Sequence, residues 1–203
     1  MHPRMMKVFI PACTLLFSMS ASFILLYFMA PLWHDQTVRT VSVPTVAHNV
    51  SNAVVIRAPV QLDINSISVS APVYQVGLNS DGDMAIDDDP EQLAWYKLGP
   101  KPGEVGSAVI AGHYGWEDGK ASIFNDLNKL SKGDKIIAQD AKGQKVTFAV
   151  THTSLYFPEQ DATNVFMSDD GEAHLNLITC QGTWNSQQST YTERLVVFTD
   201  LVK

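Results

Sequence analysis

The pattern of apolar positions divides the chain into three parts. Residues 8–30 carry no charged side chain and are dense in Phe, Leu, Ile and Met. Residues 31–58 have little periodicity and predict a spacer. From residue 59 onward, short apolar runs alternate with turn residues, and several of these runs show the two-residue period of a half-buried strand. The sequence therefore predicts an apolar helix, a spacer and one folded domain of residues 59–203.

Most of the folded domain is predicted to be β-strand. Many short strands with few helices favour an all-β fold, and a closed barrel is favoured because closure removes exposed strand edges. The clearest predicted strands are residues 60–64, 73–76, 107–111, 134–139, 145–156, 174–180 and 195–201.

Two other segments are predicted to leave the strand pattern. Ile123, Phe124 and Leu127 follow a helical spacing, which predicts one short amphipathic helix at residues 121–130. Residues 181–193 are rich in polar and turn-forming side chains, which predicts a loop between the last two strands.

The apolar segment predicts a membrane anchor. Residues 8–30 have the length of about 20 residues that a bilayer requires. Arg4 and Lys7 precede the segment, so the positive-inside rule places residues 1–7 in the cytoplasm and the folded domain outside. A cleaved signal peptide is the alternative, but the apolar block continues beyond the small residues at 18–22. We therefore expect a single-pass protein of the cell membrane.

The charge balance argues against several kinds of partner. Removing Arg4 and Lys7 from the 14 Lys and Arg residues leaves 12 cations against 21 Asp and Glu, a net charge near −9 outside the membrane. An acidic surface repels phosphate backbones, so no nucleic-acid partner is predicted. The acidic residues 87–89 do not form a calcium loop, because Gly77 stands where an EF-hand needs its first carboxylate. No metal and no cofactor is predicted.

The cysteines supply the candidate chemistry. Cys13 lies in the predicted membrane segment, so it cannot form a disulfide with Cys180. A lone thiol in an extracytoplasmic domain predicts a reactive residue, with a buried, inert cysteine as the alternative. If the last two strands pair in antiparallel fashion, Arg194 lies beside Cys180 and would favour the thiolate.

His113 is the best candidate for the partner base. It ends a buried strand next to a glycine, so it opens onto the same end of the sheet as Cys180 if the two strands run parallel. His174 shares a strand with Cys180, but six residues of strand separate them by roughly 20 Å. His152 lies in mid-strand, where a structural or surface role is expected.

These residues resemble the sortase family. The stretch Ala111-Gly112-His113, the run Leu177-Ile178-Thr179-Cys180 and Arg194 at the start of the last strand match the family's motifs, with Asn176 where threonine is usual in the TLxTC signature. Residues 95–100 and 106–113 look most like class F, with classes D and E as near alternatives. The resemblance extends from about residue 60 to the C-terminus.

The resemblance implies a fold and a reaction. Sortases are membrane-anchored cysteine transpeptidases of Gram-positive surfaces, and their fold is a closed eight-stranded β-barrel, here with one or two short helices. It implies that Cys180 cleaves an LPxTG-type signal of a surface protein between Thr and Gly through a thioacyl intermediate. Lipid II or another cell-wall amine then accepts the acyl group.

The resemblance also implies roles for the site residues. His113 would act as acid and base, and Arg194 would hold the threonyl region or the oxyanion. Thr179 is either a substrate contact or a packing residue. Trp184 either shields the site or packs on its own loop.

Two other functions compete with this interpretation. An L,D-transpeptidase also joins peptides through cysteine, but it needs a Ser-x-Gly-Cys motif, and Thr179 and Gln181 flank Cys180 instead. The second alternative is a membrane-tethered β-barrel that binds a wall component and has no catalytic thiol.

Overall fold

The computed structural model describes residues 56–116 and 119–203. The predicted cytoplasmic N-terminus, membrane anchor and most of the spacer lie outside the described residues. No helix within the described ranges is long and apolar enough to cross a membrane.

Eight strands form one closed barrel, as the sequence predicts. Their order around the barrel is β1-β2-β3-β4-β7-β8-β6-β5, with β2–β3 and β4–β7 parallel and the other pairs antiparallel. The bounds are β1 Pro59–Ile64, β2 Val69–Val76, β3 Leu93–Tyr96, β4 Gly106–Gly112, β5 Lys135–Asp140, β6 Lys145–Tyr156, β7 Ala173–Asn185 and β8 Thr190–Leu201.

The alternating pattern of each strand places its apolar side chains inside the barrel. Every residue of β4 is buried, as expected for a strand covered on both faces. The largest fully buried side chains of the core include Leu62, Ile64, Leu93, Ile110, Phe124, Leu127, Ile136, Phe148, Leu175 and Leu177.

The barrel begins slightly before the predicted domain boundary. Ile56 is only 1% exposed and belongs to the core, and the Arg57 backbone N–H donates to a carboxylate oxygen of Asp140 at 3.2 Å. The last three residues of the predicted spacer therefore pack against the barrel.

The predicted helix at 121–130 is wrong. This segment consists of turns and a short 3₁₀ helix, Leu127–Lys129. The backbone N–H of Ile123 donates to the Pro90 carbonyl, and that of Phe124 donates to the His113 carbonyl. Other loops accept from these two donors, and the N–H groups of Asn125, Leu127 and Leu130 bond to carbonyls three residues back, so the segment forms turns instead of an α-helix. The α-helix of the described residues is a single turn, α1, Thr163–Phe166.

The predicted loop at 181–193 is also wrong. β7 and β8 continue as a two-stranded ribbon, with Gln181 opposite Glu193 and Trp184 opposite Tyr191. A bulge at Gly182, whose φ is +87°, shifts the register and bends the ribbon. Polar residues on an exposed ribbon lack the apolar alternation that identifies a strand.

His174 is held at the end of β7 remote from Cys180. Its Nδ1 lies 2.9 Å from Asp200 and its Nε2 lies 3.1 Å from Asp170. Burial opposes protonation of His174, but hydrogen bonds to Asp170 and Asp200 outweigh it and raise its pKa. The raised pKa stabilises the fold below the unfolded-state pKa of about 6.5, and this contribution disappears as the pH rises through the folded-state value.

We therefore expect His174→Gln to lower the Tm more at pH 5.5 than at pH 9, with a difference of about 2–4 °C in a domain of this size. Thermal unfolding followed by circular dichroism measures it. The control is His152→Gln, because that ring stacks on Phe198 instead of facing two carboxylates. A His174→Gln deficit that is equal at both pH values would contradict the assignment.

Candidate active site

The parallel pairing of β4 with β7 brings His113 to Cys180. Ala111 pairs with Ile178 in this register. Two residues further along each strand, His113 leaves the end of β4 and Cys180 continues in β7. The two side chains line the same cavity, as the sequence predicts from their strand ends.

The antiparallel pairing of β7 with β8 adds the arginine. Cys180 and Arg194 are direct cross-strand partners. Side chains of such partners lie on the same face of a sheet. The imidazole, the thiol and the guanidinium therefore come from three adjacent strands at one end of the barrel.

The imidazole and the thiol line a cavity of about 710 Å³. Its walls are largely aromatic, and the ring pairs Tyr114–Tyr191 and Trp184–Tyr191 meet edge to face at 5.4 and 5.2 Å between centroids. The lining residues are Asp88, His113, Tyr114, Gly115, Trp116, Cys180, Trp184, Ser189, Thr190 and Tyr191.

Gly115 lets the two walls of the cavity meet. Its φ is +62°, and a Cβ at this position would lie 2.6 Å from the Tyr191 hydroxyl oxygen. The loop that follows β4 therefore closes directly against the β7–β8 ribbon.

Cys180 is a half-buried free thiol. Burial raises its pKa, and the charge of Arg194 opposes that shift without overcoming it. Arg194 therefore favours the thiolate, as expected, but burial of Cys180 outweighs this effect. The resting site holds a neutral thiol at neutral pH.

Arg194 is oriented by its own strand. Its Nη1 donates to the carbonyl oxygens of Tyr191 and Glu193, each at 3.0 Å, and its Nη2 donates to the Thr190 hydroxyl at 2.8 Å. A guanidinium carries five N–H donors, so two remain for another ligand. The bonds hold a permanent positive charge beside the thiol.

His113 is oriented by the loop that joins β2 to β3. Its Nε2 lies 2.7 Å from the Asp87 carbonyl oxygen, and its ring contacts Trp116 edge to face at 5.0 Å. Within the described residues, no hydrogen bond joins His113 to Cys180.

The structure separates the two predicted substrate contacts. Thr179 is 2% exposed, and its hydroxyl donates to the Gly112 carbonyl at 2.8 Å. This favours the packing alternative for Thr179, because its hydrogen bond joins the strand of Cys180 to the residue that precedes His113. Trp184 is 53% exposed and lines the cavity, where it could shield the site. It also packs on Tyr191 of its own ribbon, so the two predicted roles are compatible.

Three residues of the site have no clear sequence signal. Tyr191 lies in the segment predicted as a loop, and Tyr114 lies in the turn after His113. Asp88 belongs to the acidic cluster that the sequence predicts as a solvated turn, yet it reaches the cavity. In residues 56–116 and 119–203, no group of three or more His, Cys, Asp or Glu side chains is arranged so that it could hold a metal ion.

Comparison with protein families decides the nature of this site. A family model described as Sortase domain matches residues 62–202. The chain belongs to the sortase family. It is a cysteine transpeptidase, which sets aside both the L,D-transpeptidase and the non-catalytic barrel.

Solved structures agree with this family. Sortase C-1 from Actinomyces oris is 26% identical, with a TM-score of 0.55 over 70% of this chain and 73% of the other. Sortase A from Corynebacterium diphtheriae is 22% identical, with a TM-score of 0.56 over 72% of this chain and 61% of the other. Sortase C-1 from Streptococcus pneumoniae is 23% identical, with a TM-score of 0.54 over 70% and 66%. No match was found among curated protein sequences.

The raised pKa of Cys180 predicts slow alkylation at neutral pH. We expect the rate at which iodoacetamide alkylates Cys180 to rise with pH, and the midpoint of this rise to lie above the usual cysteine pKa of about 8.5. Arg194→Ala removes the opposing charge, so the midpoint should move further up, and each unit lowers the thiolate fraction about tenfold at a fixed lower pH.

Mass spectrometry of Cys180 adducts between pH 6 and pH 10 gives the midpoint. Arg194→Lys should retain most of the effect. Lys203→Ala should leave the midpoint unchanged, since Lys203 pairs with Glu172 at the far end of the barrel. A wild-type midpoint below 8 would contradict the burial argument.

Proposed function

We propose that this sortase cleaves an LPxTG-type sorting signal between Thr and Gly and transfers the acyl group to a cell-wall amine. The proposal rests on the convergence of three groups at one end of the barrel: Cys180 and His113 line one cavity, and Arg194 is the cross-strand partner of Cys180. Such an arrangement supplies a nucleophile, an acid/base and a fixed cation to one peptide bond.

The first half of the reaction forms a thioester. The Cys180 sulfur attacks the threonyl carbonyl carbon while the thiol proton passes to His113. The oxyanion takes one of the two remaining N–H donors of Arg194, and one donor of this kind is worth about 3 kcal/mol. His113 then protonates the glycine nitrogen as the C–N bond breaks.

The second half returns the enzyme to its starting state. An amine from lipid II or another wall precursor attacks the thioester carbonyl, and His113 accepts its proton. The new amide forms as the sulfur leaves, and Cys180 regains the proton. Because burial keeps the resting thiol neutral, the full cycle begins and ends with a protonated Cys180.

The aromatic walls support a peptide substrate. Trp184 and Tyr191 offer flat apolar surfaces beside Cys180, which suit the leucine and proline of an extended signal. Trp184 is therefore proposed as a substrate contact. Among sortase classes, the stretches at 95–100 and 106–113 favour class F.

We expect Cys180→Ala and Arg194→Ala to abolish turnover of an LPxTG peptide. His113→Ala should lower the rate by about 10²–10⁴-fold, the usual contribution of an acid/base. His152→Ala and His174→Ala should retain activity, because both histidines lie away from the cavity. Fluorogenic peptide cleavage measures turnover, and circular dichroism checks that each variant is folded. Equal losses in all five variants would refute the assignment.

The same assay separates its parts. Addition of triglycine should give a ligated product by mass spectrometry, whereas hydrolysis alone would argue against transfer. A panel of LPxTG variants tests the signal. Trp184→Ala should raise KM more than it lowers kcat, because its ring contacts substrate without taking part in bond formation.

We also propose that residues 8–30 anchor the enzyme, with residues 1–7 in the cytoplasm and the catalytic domain outside. The apolar length and the preceding Arg4 and Lys7 support this topology. Full-length protein should sediment with membranes and resist carbonate extraction, and externally added protease should reach the barrel. Release of an intact, shorter protein into the medium would favour a cleaved signal peptide instead.

A further inference from the structure

The imidazole of His113 is held by a loop from outside the catalytic strands. Residues 77–92 connect β2 to β3, and the Asp87 carbonyl oxygen in this loop lies 2.7 Å from His113 Nε2. A carbonyl oxygen only accepts hydrogen bonds, so Nε2 must donate. The neutral ring is therefore protonated on Nε2, which leaves Nδ1 free to accept a proton.

Asp87 is itself fixed to the barrel wall. Its backbone N–H donates to the Tyr74 hydroxyl at 2.7 Å. Tyr74 is half-buried on β2, next to Val73 of the barrel core. Burial raises the pKa of Tyr74, so its hydroxyl stays neutral over the working range. A rigid strand thus sets the position of the main chain that meets the imidazole.

The start of the loop is closed by its own backbone bonds. The Ala85 N–H donates to the Gly77 carbonyl at 3.0 Å, and Leu78 and Met84 form an antiparallel bridge. The Asn79 side chain accepts from the N–H groups of Asp81 and Asp83. These bonds confine the turn, so the Tyr74 contact fixes the part of the loop that follows it.

We infer that Tyr74 is a positioning residue for His113 and acts through the main chain of Asp87. The inference rests on the proposed role of His113 as acid and base. Nδ1 would take the thiol proton and deliver it to the leaving amine, while Nε2–H stays bonded to Asp87 throughout. The hydrogen bond becomes charge-assisted when the ring is an imidazolium, so it favours the intermediate state.

The acceptor is a carbonyl and not a carboxylate. No carboxylate of the described residues bonds to His113, and the Asp89 side chain is engaged by Glu91 N–H and by Gln92. Asp88 lines the cavity, so its charge faces the site without orienting the ring. The arrangement therefore has the order of a catalytic triad, with a main-chain oxygen in place of the third side chain.

Tyr74→Phe tests the inference, because it keeps the ring and removes the hydroxyl. We expect kcat for peptide cleavage to fall about tenfold with KM unchanged, well short of the 10²–10⁴-fold effect of losing an acid/base. The matched control is Ser70→Ala on the same strand, which removes the 2.8 Å hydrogen bond to Asp63 and leaves the loop alone.

Nitrogen-15 NMR of the imidazole provides a readout that needs no substrate. The neutral ring of wild-type His113 should be the Nε2–H tautomer, and Tyr74→Phe should shift the ring toward a tautomer mixture. If the protein cleaves no LPxTG peptide, the proposed function is refuted, but the NMR test of the His113 tautomer remains valid. The inference is overturned by a predominantly Nδ1–H wild-type ring, or by unchanged kcat and unchanged imidazole shifts in Tyr74→Phe. Where Tyr74→Phe does not fold, a predominantly Nδ1–H wild-type ring still overturns the inference.

Discussion

The parallel pairing of β4 with β7 is the constraint on which the active site depends. Parallel neighbours bring two chain segments to the same end of a sheet, so His113 and Cys180 meet although 66 residues separate them. A register slip of one residue would turn Cys180 into the core and Thr179 toward the cavity. The hydrogen bond from Thr179 to the Gly112 carbonyl holds the register at the place where it matters. A parallel pair also needs a long crossover, and here that crossover supplies β5 and β6.

The second constraint is the balance between burial and charge at the thiol. Burial of Cys180 outweighs the attraction of Arg194, so the free enzyme holds its sulfur as the less reactive neutral form. A neutral thiol also resists oxidation, because thiolates are the species that oxidise. Three of the five N–H donors of Arg194 bond to neutral acceptors on its own strand, so the guanidinium is held in place and keeps its charge. In the proposed mechanism, reactivity then requires proton transfer to His113 once a substrate is present.

The sequence predicts the barrel and the three candidate catalytic residues because both follow from strand periodicity and from where strands end. His113 follows a buried run, and Cys180 and Arg194 lie opposite one another when the last two strands are paired. The sequence wrongly predicts a helix at 121–130, because two backbone N–H groups of this segment donate to the carbonyls of Pro90 and His113, and no local pattern indicates these partners. The ribbon beyond Cys180 is polar except for Trp184 and Tyr191, so it carries no apolar alternation. Local patterns report burial, and these segments are fixed by tertiary hydrogen bonds instead.

The groups that orient the site are mostly main-chain oxygens. Asp87 holds His113, Tyr191 and Glu193 hold Arg194, and Gly112 holds Thr179. A carbonyl oxygen neither titrates nor depends on the side chain of its residue, so such contacts persist across pH and leave no trace in a motif. Their positions depend on how loops are tied to the barrel, as Asp87 is by Tyr74. The reacting side chains can therefore be read from sequence, whereas their orientation emerges only when the loops are placed.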